Sequence, residues 1–178
     1  PTRRSSDLDD GWQDIRYGLN GSEKTRGLWS FDSWEHMNSP LSDVVSLVKN
    51  TLPTVKDVGV WMTLHGYWNS IAPTSPLAKK YEMQTFKLNR DNIRGIDWPI
   101  TDFDGQQTGS ISDPQKRTWC LPPAHLTYVF WKDYFTSCFD AGISFVKVDD
   151  QAYGCLLDGR AGGEEFVALW DEFGRAHV

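Results

Sequence analysis

The chain has 178 residues, 39% of them hydrophobic and 24% charged, with a formal net charge of −6. That balance is ordinary for a soluble domain with one sizeable core, it is short for a complete (β/α)8 barrel at about 250 residues, and its acidity disfavours a nucleic-acid partner. No apolar run approaches the roughly 18 residues of a membrane span, and no signal-peptide pattern is present.

The first eight residues, PTRRSSDL, resemble neither strand nor helix. They read as translated sequencing-library adapter, as does GRAHV at 174–178. Set aside from fold reasoning, they leave 9–173 as an internal piece of a longer protein, in which a missing targeting signal carries no information. DDGWQD follows, with Asp9 and Asp10 before a glycine and Trp12. Residues 16–39 are polar and rich in Gly, Ser and Asn, the composition of a long loop. SPLSDVVSLVKNTLP sets Leu41, Val44, Val45 and Val48 at helical spacing between Pro40 and Pro53. VKDVGVWMTLHG predicts a strand over 55–65. Residues 66–122 hold no sustained period, and so long a stretch is either functional or carries small elements of its own. PPAHLTYVFWKDYFTSCFDAG then predicts a helix, with Leu126, Val129, Phe130, Asp133, Tyr134 and Cys138 at helix-like intervals, prolines in front and Ala141-Gly142 behind. ISFVKV is a strand, and GGEEFVALWDEF begins a last helix. Cys120, Cys138 and Cys155 are odd in number and widely spaced, which suits buried residues or free thiols better than a disulfide framework or a zinc site.

Helices alternating with short apolar strands predict βαβ units and a parallel sheet. Neither G-x-G-x-x-G nor G-x-x-x-x-G-K follows any strand, so the main sign of a nucleotide-binding fold is absent. The strands share polar or aromatic residues at their C-terminal ends: Asp9, Asp10 and Trp12; Trp61 and His65; Lys147, Asp149 and Gln151. Parallel α/β folds, barrels above all, build their sites at that end, and the fold class expected is α/β, a partial (β/α)8 barrel.

Side chains alternate along a strand, so Phe145, Lys147, Asp149 and Gln151 share one face. A lysine beside a carboxylate favours its ionised form, and a positioned carboxylate is what covalent glycosyl transfer needs of a nucleophile. A structural Lys–Asp pair filling a barrel layer fits the same alternation. The acids of DDGW suit adjacent sugar hydroxyls, a metal ion or a plain turn; DFDGQQ at 102–107 lacks the downstream Glu of a calcium loop. Nine tryptophans, nine phenylalanines and six tyrosines fit a sugar cleft or an aromatic core. The same choice holds for Trp61, Tyr67 and Trp68, a core plug or a stacking wall, while His65 reads as structural.

The ordered motifs DDGWQ, VGVW-x4-GYW-x2-I-x-P-x2-PLAKKY and AG-x3-VKVD-x-Q resemble glycoside hydrolase family 36, in its branch of raffinose synthases, seed imbibition proteins and alkaline α-galactosidases, fungal members especially. The resemblance covers nearly all of residues 9–173. It implies a (β/α)8 barrel, of which these strands are roughly the second to fourth, and α-galactoside hydrolysis or galactosyl transfer with retention. It also implies a small-molecule α-galactoside or oligosaccharide as substrate, no metal or organic cofactor, and a cytoplasmic location; no nucleic-acid or membrane partner is expected from the acidity and the short apolar runs. By position, Asp149 matches the nucleophile, Lys147 a lysine on galactose hydroxyls, Asp9 and Asp10 the acid pair on the 4- and 6-hydroxyls with Trp12 beside them, and Trp61 an aromatic of the sugar subsite. Met62, Asn69 and Ser70 depart from the family's W-H and GYWGG, and residues 89–122 match poorly, which touches acceptor choice rather than the galactose side. The family's acid/base carboxylate lies on a later strand, so the chain as given is expected to be inactive. A non-catalytic sugar-binding barrel and a glycosidase for another hexoside remain as alternatives.

Overall fold

The structure is a computed structural model that describes residues 4–17, 26–33, 39–68, 70–87, 118–149 and 171. In chain order its elements are β1 (Arg4–Leu8), β2 (Gln13–Tyr17), β3 (Arg26–Ser33), α1 (Leu41–Thr51), β4 (Val55–Thr63), α2 (Pro76–Lys80), β5 (Gln84–Lys87), β6 (Thr118–Leu121), α3 (Ala124–Asp140) and β7 (Phe145–Asp149). The last expected helix, Asp171 apart, lies outside the described residues, as do Asn69, Asp150, Gln151, Cys155 and the tail at 174–178.

A parallel sheet in the order β1-β4-β7 forms the frame. β4 is its middle strand, and Val58 to Thr63 are all buried, so both faces of the strand are covered. That is why its sequence reads as a near-continuous apolar run rather than as an alternation. The chain steps across the sheet in one direction, with α1 in the first crossover and α2 and α3 in the second. A singly wound β/α arrangement advances in this way, whereas a doubly wound one reverses strand order. The architecture is thus mixed α/β, with a parallel sheet of three strands among the described residues.

Two expectations need correction. Arg4–Leu8, expected to be neither strand nor helix, is β1 and pairs in parallel with β4 from Ser5↔Asp57 to Leu8↔Val60. A ladder asks only for backbone N–H and C=O groups, so weak strand propensity yields to an open edge of β4. The long loop expected over 16–39 contains β3, paired antiparallel with β2. Its Leu28 is fully buried and Phe31 packs on the core, although polar neighbours hide both in the composition. The irregular stretch 66–122 carries small elements, as one of its two readings held: α2 and the antiparallel pair β5–β6.

The helices follow their sequence signals closely. Leu41 and Val45 bury the inner face of α1, and Val48 packs beside them. Pro40 offers no side-chain cap, and Asp32 at the end of β3 takes over: its Oδ1 accepts the Leu41 N–H at 3.0 Å. In α3 the buried residues are Thr127, Phe130, Trp131, Tyr134, Phe135 and Cys138, an i, i+3, i+4, i+7, i+8, i+11 stripe. The stripe is turned from the expected one, leaving Val129 exposed, because the large rings of Trp131 and Phe135 claim the inner side. Phe31 stacks on Tyr134 with centroids 4.7 Å apart and meets Phe130 edge-on at 5.4 Å, which fastens β3 to α3.

At the outer end, Asp133 Oδ2 accepts from Lys80 Nζ at 2.7 Å and from the Tyr81 hydroxyl at 2.6 Å, joining α2 to α3. Burial raises the Asp133 carboxyl, but these bonds outweigh it and hold the group below its usual range. No helix among the described residues is long and apolar enough to cross a membrane.

Candidate active site

The expected site residues all fall at the C-terminal ends of the three parallel strands. β1 runs out at Leu8 into Asp9 and Asp10, and the chain then turns at Gly11, whose φ of +97° suits glycine alone. On the other side of β4, Trp61 stands opposite Lys147 and Thr63 opposite Asp149 in the β4–β7 ladder. The parallel register therefore sets the aromatic level with the lysine, and the carboxylate two residues further toward the strand end.

Three polar contacts then knit the strand ends together. Lys147 Nζ pairs with Asp9 Oδ2 at 3.4 Å. Trp61 donates its indole Nε1–H to Asp149 Oδ2 at 3.2 Å. Trp68 donates its indole Nε1–H to Asp10 Oδ2 at 2.8 Å. Each carboxylate of the cluster thus meets a cation or an indole donor, and four segments contribute to it.

Lys147 and Asp149 share a side of β7, as alternation requires, yet the ion pair that forms is with Asp9. Residues two apart on a strand are separated by about 6.5 Å along it, while a lysine's four-carbon stem can cross the sheet face toward β1. The pair is exposed, 50% for the lysine side chain and 68% for the aspartate, so it contributes little stability, about 0–1 kcal/mol. Such a pair can exchange its partners for a ligand's hydroxyls at low cost.

The aromatics sort by depth. Trp12 and Trp61 are each 2% exposed. Trp12, expected beside the acid pair at the sugar, donates its indole N–H to the Trp61 carbonyl at 2.6 Å, a strut between the β1 exit and β4. Trp61 lies beneath Trp68, centroids 5.0 Å apart, with Tyr67 edge-on at 6.3 Å. Trp68 is only partly buried. The sequence grouped Trp68 with this aromatic corner without assigning it to the site; its signal is its place right after Gly66-Tyr67, where the chain leaves β4.

The loop carrying Trp68 is anchored on both sides. Leu28 N–H donates to Ser70 O and Ala72 N–H to Leu28 O, both at 2.9 Å. Ser70 takes a left-handed φ of 62°, a conformation natural to glycine, and its hydroxyl accepts the Cys120 N–H of β6 at 2.7 Å. The serine departure thus adds a tether that a glycine lacks. Met62, the other described departure, is fully buried at the parity opposite to Trp61 and belongs to the core. His65, read as structural, is 1% exposed and stacks on Trp119 with centroids 3.8 Å apart. Among the described residues no group of three or more His, Cys, Asp or Glu is arranged to hold a metal ion.

Comparison with curated proteins gives no match. A family model, that of raffinose synthase or seed imbibition protein Sip1, matches residues 15–169. The matched span includes Trp61, Trp68, Lys147 and Asp149 and leaves out Asp9, Asp10 and Trp12. With the match running over most of its length, the chain belongs to the raffinose synthase or seed imbibition protein Sip1 family.

Proposed function

We propose that this chain forms the galactose-side part of a retaining α-galactoside-processing enzyme built on a (β/α)8 barrel. The observation that carries the reading is the Lys147–Asp9 ion pair beside the Trp68–Asp10 and Trp61–Asp149 contacts at one end of a parallel sheet, in a chain of this family.

In this mechanism an oxygen of Asp149 attacks the anomeric carbon and the glycosidic C–O bond breaks. The leaving oxygen takes a proton from a carboxylic acid, and a galactosyl-aspartate ester results. Water or a sugar hydroxyl then attacks the same carbon, losing its proton to that second group and releasing Asp149. The Trp61 indole N–H fixes one Asp149 oxygen, which reduces the freedom of the nucleophile before substrate arrives. Lys147, Asp9 and Asp10 hold the sugar hydroxyls, the exposed Lys147–Asp9 pair opening to receive them. The acid/base group must stand about 5–5.5 Å from the nucleophile across the scissile bond. We assign it to none of the described residues, since Asp9 and Asp10 serve the hydroxyls.

In the enzyme that carries this segment, Asp149→Asn is expected to lower turnover of an α-galactoside by about ten-thousand-fold or more while leaving the thermal transition in place. Unchanged turnover in that variant would overturn the assignment. Rates with water and with sucrose as acceptor then separate hydrolysis from transfer.

A further inference from the structure

Three indoles meet at the strand ends, and they differ in what a ligand can reach. Trp12 and Trp61 are each 2% exposed, and their N–H groups serve the Trp61 carbonyl and Asp149. Trp68 is the partly buried one. It lies over Trp61 with planes 42° apart, and its N–H is held by Asp10 at 2.8 Å. Its loop is anchored two residues further on, where Ser70 accepts backbone N–H groups from both Leu28 and Cys120. An indole backed by a second indole and pinned at its edge by a carboxylate has lost most of its rotamer freedom before any ligand binds. Flat, immobilised and partly open, it is what the C–H face of a pyranose needs to stack upon. The carboxylate at its edge has two oxygens with about four acceptor directions, and one indole donor occupies one of them.

We propose that Trp68, rather than Trp61, is the indole that meets the sugar. Asp10 fixes the ring plane and accepts a hydroxyl of the same sugar. Trp61 acts behind it as a positioning residue for Asp149. The inference rests on reading the site as one for an α-galactoside, and the test keeps the two apart.

The full chain, labelled with 15N at the tryptophan indoles, is titrated with methyl α-galactoside and separately with methyl α-glucoside. The Trp68 Nε1–H resonance is assigned by its loss in Trp68→Phe. Expected is a saturable shift of the Trp68 resonance with the galactoside, at least about threefold larger than that of Trp12 or Trp61. Trp68→Ala is expected to weaken binding about tenfold, and Trp68→Phe, which keeps a ring but loses the donor, about threefold. A Trp68 shift with the glucoside alone keeps this assignment and overturns the galactoside reading. A Trp61 shift with Trp68 unmoved overturns the assignment and leaves the galactoside reading standing. A dispersed indole spectrum that neither sugar moves also overturns the assignment, while the Asp149 variant of the complete enzyme still decides the reaction.

Discussion

Gly27 lies where β3 passes the segment that follows the Trp68 loop. A Cβ at this position would come within 2.6 Å of the Ala72 nitrogen, 2.8 Å of its Cα and 2.9 Å of the Ile71 carbonyl carbon. All three are backbone atoms, so no side chain can swing away. Ordinary contact begins near 3.4 Å, and Gly27→Ala must part the two segments by about 0.8 Å. The Leu28 N–H to Ser70 O and Ala72 N–H to Leu28 O bonds, both 2.9 Å, would stretch to about 3.7 Å, beyond hydrogen-bond reach. Two backbone bonds at about 1 kcal/mol each, with overpacking of about 1–3 kcal/mol, give a loss of about 3–5 kcal/mol. In urea that lowers the midpoint by about 1 M or more at slopes of about 1–3 kcal/mol/M. Gly11→Ala is the matched control: its added Cβ meets nothing within 4 Å, and only its φ of +97° resists, at about 1–2 kcal/mol. A Gly27→Ala midpoint at or above that of Gly11→Ala would refute the reasoning.

Burial pushes the Cys120 thiol up to about 11 and the Cys138 thiol up to about 12. In a Cys155→Ser background both are expected to resist a thiol reagent at pH 8 until urea unfolds the chain, and rapid labelling of either in native buffer would contradict this. The Tyr81 phenol is pushed up to about 12 by burial and then by its bond to Asp133. The folded state keeps a proton that the unfolded chain gives up near its usual value of about 10, so this contribution is intact below pH 10 and is lost toward pH 12. Urea midpoints should fall over that window, less steeply in Tyr81→Phe; an identical slope in the variant would exclude Tyr81 as a source.

What the sequence disclosed, it disclosed through periodicity. α1, β4 and α3 each bury a continuous or regularly spaced apolar set, β7 packs the partly buried Val146 and Val148 against the core, and the bounds of all four lie close to those read from the residues. The strand-end rule likewise placed Asp9, Asp10, Trp61, Lys147 and Asp149 at one end of the sheet, where they meet. Partner choice was not legible, because alternation fixes the side a chain faces and not how far it reaches; Lys147 found Asp9 across the sheet. Depth was not legible either, since a tryptophan's letter does not distinguish the strut Trp12 from the partly open Trp68. β3 escaped because two apolar anchors, Leu28 and Phe31, are too few to outweigh a polar neighbourhood in a composition window.

β1 has a consequence for how such a site can change. Its ladder with β4 is made by main-chain groups, and Leu8 at its end packs on the core. Its yield is delivery: the exit of the strand sets Asp9 and Asp10 level with Lys147 and Trp68. The wall of the cleft that carries the acid pair is therefore addressed by register alone. Inserting or deleting one residue between Leu8 and Asp9 would move both carboxylates off their partners at once.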